Sequence, residues 1–201
     1  MKKKILFGMM AMMMAVSFTA CGDKDSNNDS GKENSKVEDT QKVEISSSAD
    51  VLNKVFDTYT EEEKFAIMGG DAENMADGKA GIYNIEDKEG LSSVLHITED
   101  LTGQVDEAAS AVHAMNANSF TSGAFHIKAA DTSKKFAESL KDSVLSTQWM
   151  CGFPEKILVY TVNDEYVFYV LGNGELVDVF TDKVETVYGD DAVLLFDEVI
   201  E

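Results

Sequence analysis

Arginine is absent: every one of the 17 cationic residues is lysine, set against 37 acidic residues and a net charge of −20. The chain therefore has no planar guanidinium with which to clamp a phosphate or carboxylate in bidentate fashion. A nucleic-acid partner is excluded on the same ground, because binding phosphates requires clustered cationic side chains. Proline and tryptophan each occur once, cysteine twice and histidine three times. No G-x-S-x-G, phosphate loop or dinucleotide fingerprint is present, and no cofactor is expected. The histidines, His96, His113 and His126, show no H-x-H or H-x-x-x-H spacing. A zinc site would have to be assembled from distant segments with Cys151, and no metal is expected.

What is present at the N-terminus is an export signal. Lys2, Lys3 and Lys4 precede an apolar stretch from Ile5 to Phe18, followed by the small pair Thr19-Ala20 and then Cys21. The stretch is shorter than the ~20 residues a membrane-spanning helix needs. Phe18-Thr-Ala-Cys21 resembles the lipobox of bacterial lipoproteins, with Phe where Leu is usual. That resemblance implies cleavage before Cys21, a diacylglycerol on its thiol and a location on the outer face of the cell membrane. A conventional secretory signal is the alternative. Removing residues 1–20 leaves 14 lysines against 37 acids. Anionic headgroups should repel such a body and hold it off the surface.

Residues 21–48 are polar and of low complexity, and they predict a disordered tether reaching on the order of 28 Å. Within it Asp23, Asp25, Asn27 and Asp29 alternate like the start of a calcium loop. The sixth position is Asn28 rather than Gly and the twelfth Asn34 rather than Glu, so calcium binding is not expected. Residues 49–201 predict a single domain with its boundary near Asp50. With Cys21 lipidated, Cys151 is unpaired and no disulfide staples that domain.

Hydrophobic spacing predicts a short helix around Val51–Phe56, strands over 65–68 and 81–85, and a helix from Gln104 to Met115. The second half reads as a strand over 124–129 and a helix over 133–145 capped by Asp131 or Thr132. A hairpin of 156–162 and 165–171 turns at Asn163-Asp164, and a helix over 174–188 is capped by Asn173. Residues 192–200 form a last strand or short helix. The expectation is an α+β fold: a small, mainly antiparallel sheet with helices packed on one face, and β-α-β-β-α order in the C-terminal half.

The unusual local stretch is Gln148-Trp-Met-Cys-Gly-Phe-Pro154, which holds the single Trp, the single Pro and the unpaired Cys. Together with Asn116–Phe120 and Gly123–Ile127 it resembles a group of uncharacterised lipoproteins of Gram-positive bacteria, over about residues 75–190. The resemblance implies a tethered domain of unknown function, and that group has no assigned active site, so no functional residue carries over. Asn116, Asn118, Trp149 and Cys151 are the candidate ligand-binding residues, the two asparagines lying in a polar link, 116–122, before a strand. The leading expectation is a non-enzymatic binding or interaction module for a cell-surface ligand or protein. The alternative is a cell-wall hydrolase, using Cys151 with His113 or His126 as base, or paired carboxylates from Glu61–Glu63, Asp190-Asp191 and Asp197-Glu198.

Overall fold

In the computed structural model, residues 42–150 and 152–200 are described. The export signal, Cys21 and most of the expected tether lie outside them, as does Cys151. Ser47 starts the first helix, α1 (Ser48–Phe56), its Oγ accepting from the Asp50 amide 3.1 Å away. Val51, Leu52 and Val55 form the fully buried stripe. Three short strands follow: β1 (Ile67–Gly69), β2 (Ala76–Asp77) and β3 (Gly81–Tyr83). Gly69 and Gly81 touch here, since a Cβ on Gly69 would sit 2.3 Å from the Gly81 nitrogen. Asp71 organises the turn, accepting from the amides of Glu73, Asn74 and Asn84 and from the Asn74 side chain.

After α2 (Lys88–Val94) and α3 (Glu99–Thr102) comes a correction. The segment expected to be a helix over Gln104–Met115 is a strand, β4 (Val105–His113). A bulge between Val105 and Glu107 puts Val105 and Ala108, three residues apart, into the same core. That spacing imitates a helical period. Small Ala and Ser side chains then suit an interior strand, which leaves no apolar-polar alternation to read.

β5 (Phe120–Ile127) begins four residues earlier than expected, so Thr121 and Ser122 are strand residues rather than part of the polar link. Next come α4 (Ser133–Leu145), β6 (Lys156–Val162), β7 (Tyr166–Gly172), α5 (Gly174–Tyr188) and β8 (Ala192–Val199). Asn163 and Asp164 take φ of 56° and 62°, the conformation of a two-residue hairpin turn matched to strand twist. Neither Thr132 nor Asn173 makes a side-chain cap bond. At α5 a Glu155 carboxylate oxygen accepts from the Gly174 amide instead, at 2.6 Å.

The fold is α+β: eight strands form one sheet in the order β2-β1-β4-β5-β7-β6-β8, with β3 also on β4, and all the described pairings are antiparallel. Helices pack against it, and they cover both faces rather than the one face expected. α1 and α5 share a core with Phe120, Tyr160 and Phe168; α2, α3 and α4 share the other with Phe125, Val159 and Tyr169. Topology gives the reason. The β5-α4-β6 and β7-α5-β8 crossovers step the same way across the sheet from strands of opposite direction. Crossovers of one hand then place their helices on opposite faces.

Residues 40–201 make one compact unit. Val43 and Ile45 pack on the α1–α5 core. The Val43 amide donates to Asp191, and its carbonyl accepts from Asn163 Nδ2. Residues 42–47, assigned by composition to the tether, thus lie on the body as a strap, and Ser48, the last residue of that expected tether, begins α1. No helix among the described residues is long and apolar enough to cross a membrane.

Candidate functional site

Three loops meet at the end of the sheet where Phe120 pairs with Gly172. The first follows α2, the second is the β4–β5 turn and the third is the link from α4 to β6. Between them lies a groove of 490 Å³ lined by Val94, His96, Val112, Asn118, Thr121, Thr147, Trp149 and Met150, among others.

His96 has φ of 56°, a left-handed conformation uncommon outside glycine. It is held there from both sides. Ser143 on α4 donates to its carbonyl at 2.6 Å, and its ring meets Trp149 edge to face with centroids 5.0 Å apart. Burial holds the His96 imidazole below its ordinary pKa, which favours the neutral ring. Trp149 Nε1 is shielded from solvent and finds no acceptor among the described residues.

Asn118 ties the asparagine loop to the tryptophan link, its Nδ2 donating to the Gly152 carbonyl at 3.1 Å. Asn116 serves its own loop: its Oδ1 accepts from the Asn118 amide, and its backbone N–H donates to His113 Nδ1. Of the four candidate residues, Asn118 and Trp149 therefore share one groove, Asn116 stands exposed beside it, and Cys151 lies outside the described residues. On the loops that meet at the groove three large apolar side chains face water: Met150 on its lining is 89% exposed, Met115 in the β4–β5 turn 88% and Phe153 in the α4–β6 link 69%. Sequence reasoning missed His96 and Met115. Nothing near His96 announces a left-handed residue, and Met115 ends the segment expected to be a helix, which is a strand followed by a turn.

The histidines considered as bases are each engaged by other partners. His113 stacks on Phe65 at 5.3 Å, and its Nδ1 accepts from the Met115 amide. His126 lies toward the other end of β5, where its Nδ1 pairs with Asp106 at 2.5 Å. A glycosidase acid needs a carboxyl raised above its usual range. The carboxylates with displaced pKa values move down instead. Lys183 and the Thr60 amide take Glu63 to about 2, and Lys88 lowers Glu99. Burial raises Asp71, but the hydrogen bonds from Asn74, Asn84 and Glu73 outweigh it. Among the described residues no group of three or more His, Cys, Asp or Glu is placed to hold a metal ion.

The sequence matches no protein-family model, and comparison with the curated proteins and with the solved structures gives no match.

Proposed function

We propose that the protein is an extracytoplasmic lipoprotein, anchored through Cys21, whose domain works as a non-enzymatic binding module with the Trp149 groove as its ligand face. The carrying observation is Met150, which lines that groove while 89% exposed, with Met115 and Phe153 also exposed on two of the loops that meet there. Large exposed apolar groups gathered at one place mark interaction sites, because leaving them in water costs free energy that a ligand recovers. Neutral polar groups at Asn118, Thr121 and Thr147 supply orientation without charge.

The placement of the chain supports the same reading. Val43 is pinned at the Asn163-Asp164 turn, whereas the groove lies at the opposite end of β6 and β7. Seven residues of strand separate the two ends by about 23 Å. A chain leading from the membrane thus meets the body at one pole and leaves the groove at the other.

Two measurements test the proposal. Cys21→Ala should leave the precursor unprocessed or release the protein from the membrane; unchanged retention would remove the anchor. The purified protein should gain thermal stability with wall fragments, sugars or peptides, and Trp149→Ala should abolish the gain. Turnover of the stabilising compound would replace the binding module with an enzyme.

A further inference from the structure

We propose that the free edge of β8 takes up an extended peptide bearing lysine or arginine, added as a ninth strand beside the acidic flank of α5. This site is separate from the groove, and the two stand or fall independently.

β8 is the last strand of the sheet and, among the described residues, pairs with β6 alone, so one row of its backbone donors and acceptors has no strand partner there. Sheet edges are ordinarily blunted by charged side chains, lysine above all, by proline, by a bulge or by a very short strand. β8 runs for eight residues, Ala-Val-Leu-Leu-Phe-Asp-Glu-Val, with neither lysine nor proline, and a bulge opposite Val159 and Tyr160 divides it into regular segments over 192–194 and 196–199. It also offers apolar contacts: Leu194 is 46% exposed and Val199 72%.

Register decides which side chains a partner would meet on the α5 face. Leu194 lies opposite Tyr160, Asp197 opposite Leu158 and Val199 opposite Lys156. Leu158 and Tyr160 belong to the core shared with α5, so Leu194, Asp197 and Val199 point to that face. α5 contributes the acids above them. Asp178 reaches Lys156, and Glu185 acts with Asp197 on the Tyr160 phenol, a group that burial already raises. Glu185 and Asp197 are both exposed and make no ion pair with a described residue.

Charge selects the occupant. A second copy of this chain would bring net charge of the same sign, −20, and the same acids to the edge. A cationic strand would instead place alternate side chains beside Glu185 and Asp197 while smaller apolar residues cover Leu194 and Val199. Backbone pairing supplies the affinity in such strand addition, and the alternate side chains supply the selectivity.

The probe is an acetylated peptide of eight residues, alternating lysine and valine, titrated into the purified full-length chain. Binding by fluorescence anisotropy is expected, with slowed amide hydrogen exchange in β8. The same peptide with every amide N-methylated should not bind. Asp197→Lys and Glu185→Lys, both surface changes, should each weaken binding by about tenfold, whereas Trp149→Ala should leave it unchanged. Three results would overturn the proposal: no binding, equal binding of the N-methylated peptide, or no added protection in β8. A dimer in sedimentation that Leu194→Lys dissolves would also overturn it, since the occupant would be a second copy.

Discussion

His96 and Trp149 meet edge to face in the groove, their ring centroids 5.0 Å apart. Trp149 is the single tryptophan of the chain, so intrinsic fluorescence reports this contact directly. Burial lowers the His96 pKa in the folded state below the ordinary value of ~6.5. The unfolded chain therefore binds the proton more readily. The contribution is complete above about pH 6.5 and is lost as pH falls through the folded value. Trp149 emission should shift with a midpoint below that of free histidine, and His96→Gln should abolish the shift. A midpoint at or above ~6.5 would show that the ring is not desolvated.

The wall that carries His96 is fixed from beneath by Tyr169. Its hydroxyl donates to the Leu95 carbonyl at 3.1 Å, and the ring is fully buried. Tyr169→Phe keeps the shape and strands that carbonyl, a loss of about 1–2 kcal/mol. Urea unfolding should show the loss, and Trp149 emission should move toward that of an exposed indole. An unchanged midpoint would mean that water replaces the lost donor.

How much of this could be read from sequence varied along the chain. α4, α5 and the β6–β7 hairpin were legible because each carries one strong local signal. Phe136, Ala137, Leu140 and Val144 repeat at helical spacing, and Asn163-Asp164 stands between two β-rich runs. β4 was misread because its bulge gives Val105 and Ala108 a spacing of three and its alanines hide alternation. The second helical layer was missed for a related reason: strand runs apolar on both faces show that a sheet is covered without showing by what. At the site, the Trp149 link was visible as rare residues in one stretch. His96 was invisible, because its place in the groove depends on the Ser143 bond across 47 residues.

Asp71 should make the β1–β3 region acid-sensitive. Burial raises its pKa, but the hydrogen bonds from Asn74, Asn84 and Glu73 win, and the net value falls below the ordinary ~3.9. A carboxylate of this kind stabilises the fold above its unfolded pKa and ceases to as pH falls through the folded one. The acid limb of the stability curve should flatten in Asp71→Asn, which should also be less stable at neutral pH. Identical acid limbs would show that other carboxylates control this transition.

The strap sets where the folded body begins. Composition places the boundary near Asp50, yet Val43 and Ile45 pack on the α1–α5 core and the Ser46 amide donates to Asp50. The Val43 backbone is held at both its N–H, by Asp191, and its carbonyl, by Asn163. Limited proteolysis should therefore trim the chain to about Lys42 and stop. A chain starting at Ser46, which keeps the Ser47 cap, loses two half-buried aliphatic side chains and the Val43 bonds, which should lower stability by about 2 kcal/mol relative to one starting at Lys42. Asn163→Gly should reproduce part of that loss in the longer chain and none in the shorter, because its partner is then already gone. Equal midpoints for the two chains, or continued trimming to Asp50, would return residues 42–47 to the tether.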